Sequence, residues 1–244
     1  MSCLKEKALF KPFRKYKLDY NRLKRWYLGS LYSYELAVST LSEAVPKDKR
    51  LEEIYYDEKH LIEVNHYNLI KKYNKGYVKF LEEMVVIRII SLLENTLLEI
   101  VEAIFYYDKT KFYIPKKVVE FQVSEFLSKN IEELHNKYVK DIIGNLHRQG
   151  FKEISKFFNK NFDINFNNYR TNIESQDYGI KYVYKIHDIR HLLVHRLGKT
   201  DEKFQTEYNY KGRRIEMTEK EVILYLEIIN NFVLFIEGQI EKWR

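Results

Sequence analysis

The chain has 244 residues, a formal charge of +7 and 45% hydrophobic residues, enough apolar material for a sizeable core. Only 8 Gly and 3 Pro occur, too few turn-formers for a protein built from many short strands. The single cysteine, Cys3, excludes an intramolecular disulfide and a cysteine-based zinc cluster. No window reaches the roughly 18 uninterrupted apolar residues of a membrane span. Lys and Arg interrupt the apolar N-terminal residues, unlike a cleavable signal, so a soluble, reduced, cytoplasmic protein is expected.

Residues 1–25 carry nine bases (Lys5, Lys7, Lys11, Arg14, Lys15, Lys17, Arg22, Lys24 and Arg25) against Glu6 and Asp19, and beyond them bases and acids balance. Phe10, Phe13, Tyr16, Tyr20 and Trp26 are interleaved with these bases. The pattern suits a strip that holds a nucleic-acid backbone and stacks bases, with Arg14, Lys15 and Arg25 as RNA contacts. It suits rather better an amphipathic helix with a solvated Lys/Arg face and an aromatic core face, since basic strips are common and carry no sequence code.

In chain order, 5–44 reads as a helix, with a break expected near Gly29 and an end before Pro46. A second helical stretch over about 48–73 should stop at Asn74-Lys75-Gly76. Tyr77 to Tyr107 gives the strongest signal. Val85, Val86, Ile89, Ile90, Leu93, Leu97, Ile100 and Ile104 make it apolar around most of its circumference, as in a central, buried helix. Ser91 and Glu94 interrupt one of its stripes, and a carboxylate there is costly to bury without a partner. Pro115 marks a possible next helix start, with 117–147 helical but for breaks near Asn130 and Gly144. A short amphipathic helix at 150–160 precedes an Asn-rich loop from Asn161 to Asn168. Residues 172–196 predict a helix closed by Gly198. Alternation of Phe204, Thr206, Tyr208 and Tyr210 before Lys211-Gly212 predicts a small hairpin over 203–216. The last helix starts from Thr218, with Glu221 placed for a capping box, and runs to Trp243. The expected fold is all-α: a helical bundle with an N-terminal helical extension and a small β-hairpin before the last helix.

The segment richest in chemistry is Ile186-His187-Asp188-Ile189-Arg190-His191-Leu192-Leu193-Val194-His195-Arg196, followed by Gly198 and Asp201. Arg190, the polar His191 and then His195 after four intervening residues resemble the motif of the HEPN superfamily. The continuation through Arg196, Gly198 and Asp201-Glu202-Lys203-Phe204 is similar to its bacterial RiboL-PSP-HEPN branch. Ser91-Leu92-Leu93-Glu94 resembles the first helix of such domains. The resemblance spans about 76–244 as a HEPN-like helical bundle and leaves 1–75 as a separate basic helical region.

The resemblance implies a homodimer in which two such motifs face one cleft and cleave RNA without a metal or other cofactor. It also implies a role in bacterial defence or as a toxin, with an antitoxin or activating protein as partner. His195 is then the acid/base, its ordinary pKa of about 6.5 permitting both roles at neutral pH. Arg190 offers forked donors to phosphate oxygens. His191 serves as a second proton carrier or phosphate anchor, oriented by Asp188. From the residues alone, Glu94 is expected either to hold Arg190 across the bundle or to form a structural salt bridge or stay partly exposed, and Arg196 and Lys199 are expected RNA contacts.

On a regular helix Arg190 and His195 stand about 140° apart, so either the helix distorts near Gly198 or the Arg side chain wraps round. Other readings remain. His187, His191 and His195 at i, i+4 and i+8 form a stripe of the kind that chelates zinc, although no third ligand is evident and Arg190 and Arg196 would repel a cation. A non-catalytic HEPN module that dimerises or binds RNA, nucleotide or a partner fits the same residues, as does a structural polar cluster. No Gly-x-Gly-x-x-Gly, phosphate-loop lysine or Gly-x-Ser-x-Gly elbow occurs.

Overall fold

A computed structural model describes residues 7–44, 54–57, 60–62, 70–108, 120, 122–128 and 130–243. The chain is an all-α bundle with short two-stranded hairpins. Helix α1 (Lys11–Ala44) is followed by the strands β1 (Ile54–Asp57) and β2 (His60–Ile62). A π-helical turn at Lys72–Tyr77 leads into α2 (Val78–Tyr107). Then come α3 (Val123–Ser128), α4 (Ile131–Gln149) and α5 (Phe151–Phe162). A 3₁₀ turn (Phe166–Asn168) leads to β3 (Arg170–Ile173) and β4 (Gln176–Gly179). The chain closes with α6 (Ile180–Arg196), α7 (Glu202–Tyr208) and α8 (Glu219–Glu241).

Helix α2 is the axis of the bundle. Its apolar residues face every direction, and α1, α4, α6 and α8 pack around it. Helix α1 runs unbroken through Gly29 and, with Phe10 just ahead of it, buries Phe13, Tyr16, Tyr20, Tyr27 and Leu31 in the same core as α2, α6 and α8. The three- and four-residue spacing of these side chains makes one apolar face, so four of the five interleaved aromatics are core and only Trp26, 52% exposed, is not. Helix α8 begins with the expected capping box between Thr218 and Glu221. Among the described residues it is the one helix long and apolar enough to cross a membrane. Its Leu226, Ile229, Phe232, Val233 and Ile236 are nevertheless buried in this core.

Several local expectations are corrected. The helix expected over 48–73 is interrupted by the β1–β2 hairpin, whose Ile54-Tyr55-Tyr56 run favours a strand. Much of that range, and Pro115, lie outside the described residues. Asn74-Lys75-Gly76 sits within the π-helical turn and does not stop the helix. The break at Asn130 is present, its side chain capping α4 by accepting from Glu133 N at 2.9 Å, whereas α4 passes straight through Gly144. No hairpin forms over 203–216, which supplies α7 and ends near a lone bridge between Lys199 and Arg214. The hairpin that does form, β3–β4, precedes α6, where a helix is expected from 172.

The β3–β4 turn holds Glu174 and Ser175 at φ of 50° and 68°, the mirror-image turn that matches strand twist and normally selects Asn-Gly. Tyr169, at the entrance of this hairpin, donates to the Ile228 carbonyl of α8 at 2.8 Å. The turn therefore sets where α6 starts relative to α8. Replacing Glu174→Asn together with Ser175→Gly should raise stability by about 1 kcal/mol. Urea denaturation checks this, and a loss of stability would contradict the left-handed turn.

Glu82 is 5% exposed. Burial, and then the charges of Glu219, Glu221 and Glu83, push its carboxyl up to about 7 against the pull of Lys79. Its folded pKa lies above its unfolded one, so its contribution to stability is greatest below about 4.5 and is lost as pH rises through about 7. Glu82→Gln should flatten this part of the profile and leave the protein more stable than wild type at pH 8. Equal stabilities at pH 8 would refute the assignment.

Candidate active site

Helix α6 turns Val183, Ile186, Ile189 and Leu193 into the core, against α2 and α8. Counting about 100° per residue from His187, His191 stands about 40° and His195 about 80° further toward solvent, while Arg190 lies about 60° back toward the core. The helix stays regular to Arg196. It ends at Leu197 (φ 52°) and Gly198 (φ 75°) in left-handed conformation, both donating to the Leu192 carbonyl. Arg190 and His195 therefore emerge from different sides of α6, and no distortion brings them together. The Arg190 Nε is buried with no hydrogen-bond partner.

His187 anchors the helix. Its Nε2 lies 2.9 Å from Glu94 Oε1 of α2, its Nδ1 is 3.8 Å from Asp188 Oδ1, and its ring stacks on Phe151 at 5.6 Å. Burial alone would pull its pKa down. The contacts with Asp188 and Glu94, and the charges of both, outweigh this and push it up to about 9. Glu94 is held below the usual carboxylate range: burial opposes this, but His187 and the charges of Arg190 and His147 prevail. Asp188 accepts from the Tyr208 hydroxyl of α7 at 2.7 Å and is lowered in the same way, with burial outweighed by His187 and Tyr208. A four-member chain, Glu94–His187–Asp188–Tyr208, thus ties α2, α6 and α7.

His191 and His195 sit on the exposed side of the last two turns, their ring centroids 4.7 Å apart. Partial burial, followed by the positive charge of His195 and His187, lowers the His191 pKa, with Asp188 opposing. The shift favours the neutral form of the imidazole, which can accept a proton. A cleft of about 140 Å³ opens beside it, bordered by Asp188, Asp201, Lys203, Phe204 and Glu207. Arg196 pairs with Asp201 at 2.5 Å, and Asp201 also caps α7 by accepting from Phe204 N at 2.9 Å. Lys199 is exposed beyond the helix end.

The expected partnerships are rearranged. Glu94 hydrogen-bonds His187 rather than Arg190, and Asp188 serves His187 and Tyr208 rather than orienting His191. His187 points into the bundle, so the histidine stripe does not converge, and among the described residues no cluster of three or more His, Cys, Asp or Glu is arranged to hold a metal. Tyr208 and Glu207 carried no sequence signal, because only the fold-back of α7 brings them to α6. On α1, Lys15 is paired with Glu99, Arg14 donates to the Lys7 carbonyl at 2.5 Å, and Arg25 is exposed. No protein-family model matches the chain, and no curated protein or solved structure matches it either.

Because the folded pKa of His187 lies above its ordinary value, the stability it contributes is complete below about 6.5 and is lost as pH rises through about 9. His187→Gln should therefore be destabilised relative to wild type at pH 6, and the gap should close by pH 9.5. Denaturation midpoints across this range are the check, and a gap independent of pH would refute a charged His187.

Proposed function

We propose that the chain is a HEPN-type, metal-independent endoribonuclease acting on single-stranded RNA in the cytoplasm, in bacterial defence or as the toxin of a toxin–antitoxin pair. The observation that carries the reading is the exposed His191/His195 pair at the end of α6, followed along the chain by the exposed Arg196 and Lys199. Two adjacent imidazoles meet the need for one proton acceptor and one proton donor.

In the proposed reaction one imidazole of the pair takes the proton of the RNA 2′-hydroxyl. The 2′-oxygen forms a bond to the adjacent phosphorus, and the bond from phosphorus to the 5′-oxygen breaks. The other imidazole gives its proton to that leaving oxygen, so the products are a 2′,3′-cyclic phosphate and a 5′-hydroxyl. His195 is the principal acid/base and His191 its companion. Arg190 stabilises the added charge on the phosphorane. Glu94 and Asp188 act as positioning residues through His187, which fixes the rotation of α6. A homodimer with two motifs facing one cleft supplies both histidine pairs and both arginines, so Arg190 and His195 of one helix need not converge. An antitoxin or activating protein would restrain the activity.

The separation of Arg190 and His195 on α6 favours one second reading, a non-catalytic module of the same fold that binds RNA or a partner. Cleavage of labelled single-stranded RNA in EDTA decides between them. The expected result is metal-independent cleavage with a cyclic phosphate end, DNA left intact, and a loss of roughly 100-fold or more in His195→Ala and Arg190→Ala. Inactivity of folded wild type across several RNAs would overturn the enzyme reading, as would cleavage that EDTA abolishes.

A further inference from the structure

A second cleft, of about 310 Å³, lies between α1 and α2. Helix α1 presents Asp19, Arg22 and Trp26 to it, and α2 presents Met84, Arg88 and Leu92. Spacings of three and four residues keep each set on one stripe of its helix. The volume falls at the lower end of the range of small-ligand sites, about 300 Å³ upward.

The chemistry of the walls is specific. Trp26 leaves half of its indole open while Tyr20 and Tyr27 on α1 are buried, and Met84 beside it is 40% exposed. An open indole over an apolar floor accepts a flat ring. The two guanidiniums are largely unspent. Arg88 makes no ion pair or hydrogen bond within the described residues. Arg22 has only an exposed contact to Asp19 at 3.3 Å, of the kind that contributes little. Lys11, Arg14, Leu18, Arg22 and Arg25 continue along the solvent stripe of α1, four cations in five positions. From Lys11 to Arg25 the helix rises about 21 Å, the span of several nucleotides and far more than one small anion needs.

We propose that this face binds a single strand of RNA away from the histidine pair, with one base inserted against Trp26 and successive phosphates on Arg88, Arg22, Arg25 and Lys11. Base stacking on an indole is indifferent to sequence, and spaced cations follow the backbone, so the face grips a strand without selecting its sequence. The choice of RNA over DNA rests on the ribonuclease reading. Strand binding itself does not.

The test uses the full chain and a fluorescein-labelled 2′-O-methyl oligoribonucleotide of twelve residues, which lacks the attacking hydroxyl and stays intact. Anisotropy is read across a salt series, with AMP and ATP as competitors. Trp26→Ala should weaken binding roughly tenfold with the salt slope unchanged. Arg22→Gln and Arg88→Gln should each lower the slope of log affinity against log salt by about 0.7, one phosphate contact apiece. Unaltered affinity in Trp26→Ala and Arg88→Gln would overturn the proposal, and so would competition by a mononucleotide at the concentration at which the oligomer itself competes. RNA cleavage without this binding sinks the proposal and spares the ribonuclease reading. Binding lost in these variants, with no cleavage of unmodified RNA, does the reverse.

Discussion

A carboxylate on the most buried helix of the bundle has to be answered, and the hydrogen bond between Glu94 and His187 answers it. Helix α2 is enclosed by four other helices, so Glu94 has little water to turn to, and an unpartnered charge there would cost several kcal/mol. Pairing with an imidazolium offsets that cost and does something geometric as well. It fixes the rotation of α6 about its own axis. With His187 pinned inward, the steady drift of about 40° per four residues carries His191 and then His195 out of the core and into solvent. The exposed histidine pair is thus a consequence of where Glu94 finds its partner.

The same rotation explains Arg190. Three residues after His187 it leaves α6 on the core side, where its Nε is buried and has no partner. A buried, unsatisfied donor is uncommon in a folded chain. Tyr208 and Asp188 complete the arrangement from the other side. The hydroxyl of Tyr208 keeps Asp188 ionised and oriented, and Asp188 shares the charge of His187, so α7 is locked against α6 beside the small cleft next to His191.

Periodicity made the frame legible. The all-round apolar pattern of 77–107 identified the central helix, Thr218 and Glu221 identified the start of α8, and the His/Arg cluster on one helix was visible as a unit. What failed were features that depend on turn chemistry. Glu174-Ser175 adopts a mirror-image turn without the Asn-Gly that would announce it, so the β3–β4 hairpin read as the first turns of α6. Phe204 and Tyr208 are four apart as well as alternating, and the Asp201 cap settles that ambiguity in favour of a helix. Pairings across the bundle were beyond reach for another reason. Glu94 had two candidate cations within one turn of α6, His187 and Arg190, and only the rotation of that helix decides which of them it meets.

Helix α2 also relates the two faces that face solvent. Glu94 looks toward α6, while Leu92, two residues earlier and about 200° round the helix, borders the cleft against α1. The two surfaces are therefore opposite sides of one rigid element buried along most of its length, and neither can be reshaped through that element without repacking the core. Trp26 and Arg22 stand outside this constraint, because their exposed side chains rest on α1 and contribute little to the core. The cleft can thus change its affinity without disturbing the histidine pair. The histidine pair has no such freedom, because its geometry is set by the Glu94–His187 contact that also holds α6 against α2.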